Sequence, residues 1–212
     1  MPVPPVSYSY RVGQFLAWTI FGSTGARIRG KENIPSTGSL LLVSNHQSYL
    51  DPLFVSLAYS TRQIHFMAKE ELFLSPTSRH MMLGLGAFPV NRNGPSKATL
   101  IQVLRLLKDG RVLCLFAEGT RSKDGRLQDF QSGFAKIARR TRTPVVPIGI
   151  TGTRNLFEDI QGMSLPVWSR LIGYPPPVLS VGEPVTWDQP AQEIARQTHD
   201  RVRALIEECR GA

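Results

Sequence analysis

A histidine, a carboxylate and the turn between them are the first residues here whose types and spacing could do chemistry. They lie in Asn45-His46-Gln47-Ser48-Tyr49-Leu50-Asp51-Pro52, close behind the apolar run Leu40 to Val43. On a continuous helix, His46 and Asp51 would stand about 140° apart around the axis, too far to touch. In a turn leading from a strand into a helix they can meet. Asp51 then bonds one imidazole nitrogen and fixes the tautomer, leaving the other nitrogen as a general base. Pro52 suits the first helical turn, which makes Asp51 a natural N-cap. The plainer alternative is an Asp51 that only caps, with His46 an ordinary loop histidine.

Two further segments carry charge where apolar runs end. Phe116-Ala117-Glu118-Gly119-Thr120-Arg121-Ser122 continues directly from the run Val112 to Phe116. Glu118 can accept from hydroxyls, and Arg121 offers a planar fork of donors suited to phosphate. A polar turn with a surface ion pair would use the same residue types. Gly86-Ala87-Phe88-Pro89-Val90-Asn91-Arg92-Asn93-Gly94 places Arg92 just after a short apolar run, as a phosphate ligand or as a solvated arginine. No Gly-x-Ser-x-Gly nucleophile elbow occurs. Cys114, between Leu113 and Leu115, reads as core. His65, His80 and His199 are scattered and not at ligand spacing, so no metal is expected.

The elements that must hold these segments can be read from hydrophobic spacing. Leu40 to Val43, Ile64 to Ala68, Phe88 to Val90, Val112 to Phe116, Val145 to Ile150 and Val178 to Val181 have strand length and composition. Pro52 to Tyr59, a stripe of Leu100, Val103, Leu104 and Leu107 ended by Gly110, the basic stretch Phe134 to Arg140, and a final stripe from Ala191 to Ile206 predict helices. Alternating strands and helices predict an α/β domain with a largely buried sheet, and the chemistry-bearing segments fall at strand ends, where such folds bind ligands. A chain of 212 residues, 42% hydrophobic and 19% charged, fits a single globular domain rather than disorder. Two cysteines exclude a disulfide framework and a thiolate zinc site.

Taken in order, the segments resemble the glycerolipid acyltransferase family, of the 1-acylglycerol-3-phosphate acyltransferase type. Asn45, His46, Ser48 and Asp51 match its first motif. Phe88, Val90 and Arg92 match the second, and Phe116, Glu118, Gly119, Thr120, Arg121 and Ser122 the third. Val146, Pro147 and Ile148 match the fourth, and Val181-Gly182-Glu183-Pro184-Val185 resembles the family's closing strand and turn. The order and gaps agree from about Gly30 to Val185. Two departures stand out: Ala117 where the family usually has proline, expected to loosen the turn presenting Glu118, and Gln131 where a basic residue is frequent.

The resemblance implies a single α/β domain with a mostly buried mixed sheet flanked by helices, like that of glycerol-3-phosphate acyltransferase. It implies transfer of a fatty acyl group from an acyl-CoA or acyl carrier protein thioester to the sn-2 hydroxyl of lysophosphatidic acid, giving phosphatidic acid. His46 would be general base and Asp51 its orienting partner. Arg92 and Arg121 would hold the acceptor phosphate, Glu118 and Gly119 would serve its glycerol region, and Thr120 would belong to the same binding segment. No cofactor beyond the donor is implied. Alternatives are a lysophospholipid or lipid-amine acceptor, or a peripheral membrane protein that keeps the fold without catalysis.

The net charge is 25 − 16 = +9, which points to an anionic partner. No nucleic-acid module is recognisable, so the anionic lysolipid, the donor's phosphates or acidic carrier, and an anionic membrane surface are the expected sources. The uncharged stretch Val12 to Ala26 holds Gly13, Gly22 and Gly25 and falls short of the ~18–20 apolar residues of a spanning helix. It also lacks the start of a signal peptide. Val12, Phe15, Leu16, Thr19 and Ile20 fall near one helical face, widened by Trp18 and Phe21 and flanked by Arg11, Arg27, Arg29 and Lys31. Residues 1–30 are therefore expected to form either a membrane-interface helix or a helix on the domain's own core, with 31–212 as the acyltransferase domain. The expected location is peripheral or monotopic on the cytoplasmic side of the cell membrane. Leu165, Val167, Trp168 and Leu171 form a second candidate anchor.

Overall fold

A computed structural model describes residues 6–91, 96–122, 124–154 and 175–210. In chain order the elements are α1 (Tyr8–Ser23), β1 (Arg27–Arg29), β2 (Leu40–Ser44), α2 (Asp51–Ala58), β3 (Ile64–Lys69), α3 (Pro76–Gly84), β4 (Ala87–Val90), α4 (Lys97–Lys108), β5 (Val112–Phe116), α5 (Gly133–Thr141), β6 (Val145–Thr151), β7 (Val178–Val181) and α6 (Ala191–Arg210). Short 3-10 turns cover Lys31–Asn33 and Glu70–Phe73.

Among the described residues the strands form one sheet in the order β1-β7-β6-β2-β5-β3-β4. From β6 to β4 every pairing is parallel. β7 pairs antiparallel to β6, and β1 parallel to β7, so the sheet is mixed. β2 lies centrally and all five of its residues are buried, as its unbroken apolar run requires of a strand covered on both faces.

Side chains that alternate along β2 feed two cores. Leu40 and Leu42 pack with Phe21 of α1, Phe54 of α2, and Ile148 and Ile150. Leu41 and Val43 pack with Val103 and Leu107 of α4, Phe134 and Ala138 of α5, and Ile194 of α6. Close approach of α6 to β6 needs Gly149, where a Cβ would stand 2.7 Å from the Leu205 Cβ.

α1 is capped by Ser7, whose hydroxyl accepts from the Tyr10 N–H. Its inner face is Tyr10, Gly13, Ala17 and Phe21. Phe21 stacks on Phe54 at 4.3 Å between ring centroids, and the Tyr10 hydroxyl accepts from the Ile64 N–H. β1, also within the first thirty residues, is a strand of the sheet. The N-terminal segment and the remainder thus share one core. The opposite face of α1 exposes Tyr8, Val12, Phe15, Leu16 and Trp18.

Two elements have no counterpart in the sequence reading. α3 buries no residue, so it carries no hydrophobic period. β1 is three residues long and flanked by arginines.

Candidate active site

Register builds the site. Ser44 stands level with Phe116 on β5 and with Ile148 on β6, so the chain leaves β2 beside the ends of both neighbours. Asn45 fixes the turn to β6: its side chain donates to the Ile150 carbonyl at 2.9 Å and accepts from the Ile150 N–H at 2.8 Å. His46 follows, and its backbone is held by the β5 segment at both polar groups. The His46 N–H donates to Glu118 Oε1 at 2.8 Å, and its carbonyl accepts from the Ser122 N–H at 2.8 Å. The imidazole stacks on Phe116 at 4.1 Å.

His46 Nδ1 lies 2.8 Å from Asp51 Oδ2, with the Asp51 side chain fully buried and the imidazole 18% exposed. The same Oδ2 accepts from the N–H groups of Gln47 and Ser48, and Oδ1 accepts from the Thr153 hydroxyl at 2.6 Å. A carboxylate ringed by four donors acts as acceptor only, so Nδ1 carries the imidazole hydrogen and Nε2 keeps its lone pair. The N-cap expectation for Asp51 is corrected. Leu50 occupies the cap without a side-chain bond, and Asp51 is the first residue of α2. From there its carboxylate turns back onto the preceding turn, which closes the five-residue gap to His46.

Glu118 is 5% exposed. Its second oxygen accepts from the Gln128 N–H at 3.3 Å, so the carboxylate bridges the His46 turn to the loop leading to α5. Burial raises its pKa to about 7. The bonds from His46 and Gln128 oppose that rise, while Asp51 and Asp124 add to it. Gly119 has φ +73°, which favours glycine, and a Cβ there would displace the side-chain amide of Gln131. The Thr120 hydroxyl donates to the Arg121 carbonyl. The Arg121 guanidinium lies 3.6 Å above the centre of the Tyr49 ring, and Tyr49 is exposed. Arg92 lies outside the described residues, as do Leu165, Val167, Trp168 and Leu171.

Ala117 does not loosen its turn. Its N–H, which proline would lack, donates to the Ser44 carbonyl, and its carbonyl accepts from Gln131. Sequence reasoning missed three contributors: Thr153, Tyr49 and the ring stack from Phe116. A hydroxyl two residues beyond β6 and an aromatic inside the His46 turn were their only traces. Burial pushes the Cys114 thiol far above its ordinary value, as expected of a core residue. Among the described residues no group of three or more His, Cys, Asp or Glu side chains could hold a metal ion.

This arrangement is a histidine oriented by a buried carboxylate at the end of a central strand, beside an arginine stacked on an aromatic ring. The family model named Acyltransferase matches residues 25–151. A chloroplastic 1-acyl-sn-glycerol-3-phosphate acyltransferase of Brassica napus is 40% identical over 133 residues, covering 61% of this chain and 38% of that protein. The 1-acyl-sn-glycerol-3-phosphate acyltransferase of Bacillus subtilis is 29% identical over 128 residues, covering 60% of this chain and 63% of the relative. The chain thus spans less than two thirds of either relative. In fold, it is similar to the 1-acyl-sn-glycerophosphate acyltransferase of Thermotoga maritima, with a TM-score of 0.72 at 24% identity, over 94% of this chain and 79% of that one. With more than half its length matched by the family model, the chain belongs to the Acyltransferase family.

Proposed function

We propose that the chain moves a fatty acyl group from an acyl thioester to the sn-2 hydroxyl of 1-acylglycerol-3-phosphate, forming phosphatidic acid. The observation that carries this reading is the His46–Asp51 pair, with Nδ1 committed to a buried carboxylate and the ring partly open to solvent. The relatives' names support the choice of reaction.

The acceptor hydroxyl attacks the thioester carbonyl while His46 Nε2 takes its proton. The carbon–sulfur bond then breaks, and the leaving thiolate recovers that proton from the imidazolium. The products are an ester and a free thiol, with no acyl-enzyme. Asp51 stabilises the transient imidazolium, and a positioned base of this kind contributes roughly 10²–10⁴-fold. Arg121, presented by Tyr49, holds the acceptor phosphate together with Arg92. Glu118 holds the His46 turn, because its two oxygens accept from the His46 and Gln128 N–H groups, and its remaining lone pairs stay open to the acceptor's glycerol.

The lysolipid must come from a bilayer. Among the described residues no helix is long and apolar enough to cross a membrane. The outer face of α1, with exposed Leu72, Leu74, Met81 and Leu83 nearby on the segment leading into α3 and on α3 itself, suits docking on the cytoplasmic face of a membrane. A mass-spectrometric transfer assay with purified protein, a panel of lysolipids and both thioester donors tests the reaction. Absence of phosphatidic acid with either donor would refute it.

A further inference from the structure

The Asn45–Asp51 turn is tied at both ends to β6 or to the chain just beyond it. The Asn45 side chain closes on both polar groups of Ile150. At the other end, Asp51 Oδ1 accepts from the Thr153 hydroxyl at 2.6 Å. His46 lies between these two anchor points. The Asn45 tie acts on the backbone that carries His46, whereas the Thr153 tie acts on the carboxylate that holds its ring.

The residues around Thr153 set its place. Thr151 ends β6 level with Val178, the first residue of the antiparallel β7. Gly152 follows with φ +78°, and a Cβ there would stand 2.9 Å from the Pro177 Cα and 3.2 Å from the Pro176 carbonyl oxygen. Those are backbone atoms of the segment entering β7, so neither the conformation nor the space suits a side chain. The left-handed turn at Gly152 takes the chain out of the strand, and Thr153 is fully buried immediately after it.

Donors are shared unevenly between the two Asp51 oxygens. Oδ2 meets three, His46 Nδ1 and the N–H groups of Gln47 and Ser48, while Oδ1 meets the Thr153 hydroxyl. Asp51 and Thr153 are both fully buried, so solvent does not replace a lost donor. A buried carboxylate oxygen without a donor is costly. Without the hydroxyl, the carboxylate gains by rotating about its Cβ–Cγ bond, sharing the three remaining donors between both oxygens. That rotation carries Oδ2 away from the imidazole. A network of this kind holds its geometry only while every member is satisfied.

We propose that Thr153 is a positioning residue for the base: its hydroxyl locks the Asp51 carboxylate in the rotation that keeps Oδ2 on His46 Nδ1. Being fully buried, it acts through Asp51 and not on substrate. This rests on the acyl-transfer reading above and deepens it by extending the machinery to the chain beyond β6.

The test compares the full chain with Thr153→Val, Thr153→Ala and Thr153→Ser, each checked by thermal melt. Proton NMR reads the hydrogen on His46 Nδ1, its signal assigned by its absence in His46→Ala, and steady-state assays give kcat and the KM for each substrate. In the valine and alanine variants that signal should be lost or displaced. Their kcat should fall about 10- to 100-fold, because a misplacement of about 1 Å at a reacting group costs up to roughly 10²-fold. Both KM values should stay within about 2-fold, as for a group that acts only in the transition state. Thr153→Ser keeps the hydroxyl without the methyl and should restore signal and kcat. An unmoved signal or an unchanged kcat in a folded hydroxyl-free variant overturns the proposal. So does a loss carried by KM, a serine variant as impaired as the valine one, or failure of both hydroxyl-free variants to fold, which makes the role structural. The signal is read without substrate. A parent chain that gives no product with any donor therefore refutes the acyl-transfer reading, while the signal still decides on Thr153.

Discussion

Replacing Glu118 with glutamine separates a residue that positions the base from one that binds the acceptor. Glu118 gives one oxygen to the His46 N–H and the other to the Gln128 N–H. Glutamine has one oxygen and one NH2, so one of those N–H groups must face another donor. A buried donor left unpaired costs about 1–3 kcal/mol. Against that, glutamine removes a buried charge. A pKa raised from 4.5 to about 7 is a penalty on the ionised form with an upper limit of about 3 kcal/mol. The two effects nearly offset at pH 8, so the variant should fold with a melting temperature within a few degrees of the parent.

The sign of the pH dependence follows. Because the folded carboxyl holds its proton to higher pH than the unfolded one, the parent loses stability as pH rises from about 4.5 to about 7, then levels off. The glutamine variant lacks that slope. Its stability relative to the parent should therefore improve between pH 5 and pH 8, by up to about 3 kcal/mol in denaturant titrations. Activity should move the other way. With the His46 backbone released on one side, kcat should fall about 10- to 100-fold, or about 1.4–2.7 kcal/mol of transition-state stabilisation, with little change in the lysophosphatidate KM. A raised lysophosphatidate KM at unchanged kcat would refute the reasoning and return Glu118 to direct contact with glycerol.

His46→Ala should abolish transfer in a protein that still melts cooperatively; near-parental turnover in folded protein would end the general-base assignment. Asp51→Asn should lower kcat by about 10⁴-fold, since the amide cannot stabilise the imidazolium, with the loss read in single-turnover assays. Tyr49→Leu removes a cation–π contact of about 0.5–1 kcal/mol and should raise the acceptor KM about 2- to 5-fold, whereas Tyr49→Phe should restore it. Phe15→Ser with Trp18→Ser should weaken sedimentation with anionic liposomes and leave the melting temperature unchanged; undiminished binding would place the anchor elsewhere.

The central sheet was legible because β2, β5 and β6 are unbroken apolar runs, a pattern produced by strands covered on both faces. The His46–Asp51 meeting was legible as a possibility, since five residues cannot be bridged on a helix but can across a strand-to-helix turn. What holds the pair in place was not legible. Thr153 reaches Asp51 across 102 positions of sequence. Ser122 and Glu118 grip the His46 backbone only because Ser44 and Phe116 share a register. Backbone acceptors and donors carry no residue signature, so a turn held by its main chain looks in sequence like any polar loop. For the same reason the backbone partners of Glu118 were hidden: residue type announces a carboxylate, while its partners are fixed by the fold.

α1 exposes a different limit. Apolar spacing detects a face turned away from water, but it does not distinguish a protein core from lipid. Tyr10, Gly13, Ala17 and Phe21 face the core, while Tyr8, Val12, Phe15, Leu16 and Trp18 point outward, so the helix is apolar on both sides. The core reading describes the inner face, and the exposed outer face is where the membrane reading is to be tested. Removing residues 1–22 would therefore be a poor test of membrane binding. It would take Phe21 from its stack on Phe54 and the Tyr10 hydroxyl from the Ile64 N–H, and losing a buried aromatic alone costs about 3–5 kcal/mol. A truncated protein that failed to bind liposomes would report unfolding as readily as a missing anchor. Substitutions confined to Phe15 and Trp18 leave that packing intact, so any change in liposome binding is then a property of the outer face.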